Sequence, residues 1–116
     1  MSQHASLTAE RWRTFPRDQQ LMMIANEMNR ASRLVTPADL ASFRRCYERV
    51  LRLVDLTVEV NAMRSLRREL LRWRELAAEL FISPAPTAEQ HRALFRALLQ
   101  LNPATARQIP YVLGAR

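Results

Sequence analysis

From Leu21 onward, apolar residues recur at Ile24, Ala25, Met28, Ala31 and Val35, with Ser32 in the same register. On a helical wheel these positions fall within about 120°, the stripe of a helix lying on a core. Pro16 suits the first turn of that helix, where a missing N–H has no partner to lose. Trp12 and Phe15 offer anchors ahead of it, and residues 1–11 read as a loosely held flexible arm.

The second helical start is the clearest. Thr36-Pro37-Ala38-Asp39 combines a capping hydroxyl, a proline at the first position and an acid in the first turn. The stripe that follows carries Leu40, Phe43, Tyr47, Val50, Leu51, Val54 and Val58. The β-branched stretch from Thr57 to Asn61 weakly disfavours helix and predicts a break, the alternative being one helix continuing through residue 80. A third stripe holds Leu66, Leu70, Trp73, Leu76, Ala77 and Leu80, and Ser83-Pro84-Ala85-Pro86 ends it, because two prolines so close cannot continue a helix. Thr87 with Gln90 three residues on predicts a capping box. The fourth helix then runs on Leu94, Phe95, Leu98, Leu99 and Leu101 to Asn102-Pro103.

Four amphipathic helices with short links fold most simply as an all-α, antiparallel four-helix bundle. The expected organisation is an arm over residues 1–11, a bundle over 12–102, and a C-terminal turn with a short extended apolar tail over 103–116. Ile109, Tyr111, Val112 and Leu113 of that tail are too apolar to lie in water without cost, while Pro110 and Gly114 keep them from extending the fourth helix. They are therefore expected to pack on a groove, of this chain or of a neighbour.

Composition narrows the chemistry. Gly114 is the only glycine of 116 residues, so hairpins are disfavoured and phosphate-cradling glycine loops are excluded. The net charge is +7, and all 18 basic residues are arginine. Arginine is the better bidentate partner for phosphate. Yet Arg, Ala and Leu together supply 51 residues, as the codon usage of a GC-rich genome would produce. Cys46 is the only cysteine, so no internal disulfide can form. The longest uncharged run, residues 97–106, is far short of the roughly 20 residues that span a bilayer. The first ten residues lack the basic and apolar regions of a signal peptide, and a cytoplasmic protein is expected.

No catalytic or metal-binding constellation is apparent, and no cofactor, small-molecule substrate or membrane association is expected. The two histidines, His4 and His91, lack a glutamate three residues ahead, as carboxylate-bridged metal bundles require. One cysteine with two distant histidines cannot assemble a zinc site. His91, one turn before Leu94 and Phe95, reads as an inward-facing packing residue. Cys46 has no neighbouring base to activate it. Asp55 and Glu59 lie one turn apart among arginines and read as solvated ion pairs.

Two surfaces stand out. One is a run of arginines on the third helix, with Arg64, Arg68 and Arg72 along one ridge and Arg67 and Arg74 beside it, a candidate nucleic-acid contact. Charge elsewhere is spread widely, and Asp55 and Glu59 are expected to neutralise Arg64 and Arg67 in part if the second and third helices are antiparallel neighbours. The other is surplus apolar surface: Met23 and Leu34 off the first stripe, and Cys46, Leu53 and Val60 at seven-residue spacing with Leu56 beside them. Either the second helix is central and covered on both sides, or this is a contact face. The expected function is a non-enzymatic interaction module that forms a homodimer or binds a partner protein, with the apolar face and tail contributing. The alternative is an accessory nucleic-acid binder.

Overall fold

Each of the four long amphipathic stripes is a helix in the computed structural model, which describes residues 7–114. They are α2 (Arg17–Ala31), α3 (Leu40–Val60), α4 (Arg64–Ile82) and α5 (Ala88–Leu99). Among the described residues three shorter α-helices complete the all-helical architecture: α1 (Ala9–Arg13), α6 (Pro103–Ala106) and α7 (Ile109–Leu113). Contacts run from α2 to α3, α3 to α4, α4 to α5 and α5 back to α2. The four long helices thus close a ring around one core, with α1 against α3, α6 against α2 and α7 against α5.

Local chemistry explains most of the boundaries. Pro16 immediately precedes α2. Thr87 and Gln90 form the capping box at α5, with Gln90 N–H donating to Thr87 Oγ1 (3.1 Å) and Thr87 N–H to Gln90 Oε1 (3.0 Å). At α3 the start is one turn later than Thr36 suggested. The Thr36 hydroxyl donates to the Asp39 carboxylate (2.8 Å) and does not cap the backbone, and Pro37–Asp39 form a 3-10 turn. The break between α3 and α4 falls at Asn61, whose backbone is extended. Its side-chain amide donates to Thr57 O (2.8 Å) and Gln20 Oε1 (3.0 Å), so a terminal carbonyl of α3 is satisfied without a further helical turn.

Two expectations are corrected. Within the expected arm, residues 1–6 lie outside the described residues, but Thr8 caps α1 and Trp12 is wholly buried. The Trp12 indole donates to Thr57 Oγ1 (2.9 Å), and Gln20 Nε2 donates to Trp12 O (2.9 Å) and Phe15 O (3.0 Å). Among the described residues helical order therefore begins at Ala9, because a buried aromatic with a satisfied N–H holds the segment down. Of the expected tail, residues 115–116 lie outside the described residues, and the rest is largely helical where extended chain was expected. Asn102 caps α6 by accepting from Ala104 N (2.8 Å), and Pro110 occupies the first turn of α7, where its missing N–H removes no bond. Gly114, at φ +85°, ends α7 in a conformation that favours glycine. Among the described residues the architecture is accordingly seven α-helices and one 3-10 turn, where four helices and an extended tail were expected.

Candidate interaction surface

The polar groups inside the ring are nearly all engaged with one another. His91, 2% exposed, bonds through Nε2 to Met28 O (2.9 Å) and Ser32 Oγ (3.0 Å), and through Nδ1 to Tyr47 Oη (2.6 Å). A carbonyl only accepts, so Nε2 carries the proton and Nδ1 accepts from the tyrosine hydroxyl. Burial lowers the His91 pKa, opposed by its bond to Met28, and burial raises that of Tyr47. The histidine joins α2, α3 and α5, and both its nitrogens are used.

On the other side of α3, Glu27 is 3% exposed and accepts from Arg49 Nε (3.1 Å) and Arg30 Nη1 (3.5 Å). Arg49 also reaches Cys46 Sγ (3.4 Å). Burial raises the Cys46 pKa, against the opposing pull of Arg49, which keeps the sulfur a neutral thiol at ordinary pH. Among the described residues no group of three or more His, Cys, Asp or Glu side chains could hold a metal ion, and no helix is long and apolar enough to cross a membrane.

The α4–α5 pair is different. The Trp73 indole donates to Leu94 O (2.8 Å) and clamps the two helices at mid-length. Outside that clamp lies an open groove of ≈ 460 Å³. Leu76, Glu79 and Leu80 line it from α4, Ser83 from just past its end, and Gln90, Ala93, Leu94 and Ala97 from α5. Ala93 and Ala97, one turn apart, leave a trough where larger side chains would close the surface. Leu80 and Leu94 form its floor and belong to the core, whereas Leu76 is 54% exposed at its rim. Glu79 is the one charged residue of the lining.

The arginines of α4 divide. Arg64, Arg67 and Arg68, with Ala62 and Leu71, line a second open concavity of ≈ 410 Å³ at the start of the helix. Arg72 is exposed, 4.0 Å from Glu69. Arg74 lies apart from them and holds Asp55 through two bonds, 2.6 and 3.1 Å, which raise its pKa. Asp55 therefore neutralises Arg74, and not Arg64 or Arg67 as expected, because the antiparallel return of α4 brings its middle opposite Asp55.

The expected apolar face is closed within the chain. Leu53 and Cys46 are buried, and Met23, Leu34, Leu56 and Val60 are half-buried against the core. The reason is that α3 packs against α1, α2 and α4 together, so its two apolar sides are both covered. Of the four expected tail contacts, Ile109, Val112 and Leu113 pack against the core, whereas Tyr111 is exposed, at 83%. Arg92 of α5 donates to Leu113 O, tying α7 to its own bundle.

The groove is hidden in the sequence because Leu76 shares the helical stripe of Leu66, Leu70, Trp73, Ala77 and Leu80. The angular position of Leu76, about 80° from the centre of that stripe, is the available signal. Compared with protein-family models, curated proteins and solved structures, the chain matches none.

Proposed function

We propose that this protein is a non-enzymatic helical interaction module whose α4–α5 groove receives the apolar side of a helix from another polypeptide. The observation that carries this reading is the groove itself: Leu76 stands exposed over a leucine floor beside the two alanines. A helix lying there buries a leucine at i, i+3 or i+4 spacing in the trough, the usual way in which an amphipathic helix enters a groove. The ring of α2–α5 acts as an antiparallel four-helix scaffold. A cytoplasmic setting accords with a single cysteine, buried and without a disulfide.

A second reading draws on the concavity of Arg64, Arg67 and Arg68. Three exposed guanidinium groups around one depression suit a polyanion such as nucleic acid, with binding that falls steeply as salt rises. Sub-micromolar binding of a short duplex or single strand at physiological salt, abolished by Arg64→Glu with Arg68→Glu, would favour it over the first.

The test of the first reading is a photo-activated cross-linking side chain placed at Leu76 and, as a control, at exposed Ala41 on α3. Saturable adducts with a polypeptide from position 76 alone, mapped by mass spectrometry, support the module. No polypeptide adduct, or equal labelling from both positions, overturns it.

A further inference from the structure

We infer that the occupant of the α4–α5 groove is α4 of a second copy of this chain, running antiparallel across Leu76; this rests on the reading above. Arg72 lies about 6 Å before Leu76 along the helix and Glu79 about 4.5 Å after it. Both fall on the same flank of Leu76, about 40° and 60° round the helix. A two-fold axis beside Leu76 that reverses the helix direction keeps each flank on its own side of the contact. Arg72 of one copy then meets Glu79 of the other, and the pair occurs twice. The two Leu76 side chains meet between these pairs, above the troughs left by Ala93 and Ala97.

The charges exclude the simpler alternatives. The chain's net charge of +7 points toward an acidic partner, but an acidic helix in this groove would set carboxylates against Glu79, its only charged lining residue. A basic helix suits Glu79, and α4 is one, with Arg72 at the matching distance. Parallel pairing about an axis along the helices would put Arg72 and Glu79 of one copy on the opposite flank from those of the other, so neither attraction would form. Among the described residues neither Arg72 nor Glu79 is committed elsewhere by a strong contact: the pair of Arg72 with Glu69 is long, at 4.0 Å, and exposed at both ends.

Sedimentation velocity of the full chain, from about 1 to about 200 μM, should show a reversible monomer–dimer equilibrium. Leu76→Glu, at an exposed site that leaves helicity unchanged, should abolish the dimer. Arg72→Glu and Glu79→Arg should each weaken it about tenfold, since each replaces two attractions by two repulsions. The double variant R72E/E79R should recover the wild-type dissociation constant. A wild-type chain that stays monomeric throughout, or a double variant no tighter than the single ones, overturns the inference. The cross-linking side chain at position 76 separates the two readings. An adduct with a peptide of this chain's own α4 supports both. An adduct with a different protein keeps the interaction module and removes the second copy, and no polypeptide adduct removes both.

Discussion

The two longest helices, α3 and α4, carry similar numbers of apolar residues but differ in what covers them. On α3, Phe43, Cys46, Tyr47, Val50, Leu53, Val54 and Thr57 are buried, and no large apolar side chain is exposed. On α4, Leu66, Leu70, Trp73, Ala77 and Leu80 are buried, while Leu71, Leu76 and Ile82 reach solvent. The difference follows from position: α3 is bordered by α1, α2 and α4, whereas α4 has neighbours only in α3 and α5 among the principal helix contacts. Surplus apolar surface on a central helix becomes core. The same surplus on a peripheral helix remains available for a partner.

The sharpest test of this contrast is a matched pair of leucines. Leu53→Ala, at a site 0% exposed, should cost about 2–5 kcal/mol of unfolding free energy in a urea titration. If Leu53→Ala is nearly neutral, α3 is not the covered helix described above. Next in size is Arg49→Met, which removes an arginine that lies closer to buried Glu27 than Arg30 does. Arg30 remains and Arg49 is itself partly exposed, so a loss of about 2 kcal/mol is expected, less than for a fully buried pair. Glu27→Gln combined with Arg49→Met should cost less than the two single losses added together, as a double-mutant cycle would show.

The third test is of pH. Burial lowers the His91 pKa below its ordinary value of 6.5, so the unfolded chain takes up a proton before the folded one does. This contribution to stability is fully present above about pH 6.5 and is lost as pH falls from there toward the lowered folded value. Unfolding midpoints measured between about pH 7 and 5 should therefore fall in the wild-type chain, and His91→Gln should flatten that slope while being less stable at pH 7. An unchanged slope would mean that burial does not hold the His91 ring neutral. The smallest effect is expected at Leu76→Ala, within about 0.5 kcal/mol in the monomer, because an exposed side chain has little packing to lose. A large loss there would place Leu76 in the core and close the groove.

Much of the fold was legible in the chain itself. The four stripes, the capping box at Thr87 and Gln90, and the break near Asn61 depend on spacing and on backbone partners a few residues away, so they can be read locally. His91 was also legible as an inward residue from its register with Leu94 and Phe95. The candidate surface was legible only in part. Arg64, Arg67 and Arg68 do share one depression, but Arg74 joins Asp55, nineteen positions away in sequence, through a contact that spacing alone does not reveal.

What the sequence determined by itself was the helical class and the angular order of side chains round each helix, because both arise from the 3.6-residue turn. Only the tertiary structure decided how many neighbours each helix would have. That number made Leu53 core and left Leu76 at a rim, although both leucines belong to amphipathic helices of similar length. It also decided the ends: Trp12 anchors α1 because Thr57 waits on α3, and Ile109, Val112 and Leu113 turn into helix because α5 offers them a surface. Apolar surface is indifferent to what covers it, so its placement is settled by the packing of the whole chain and not by any local pattern.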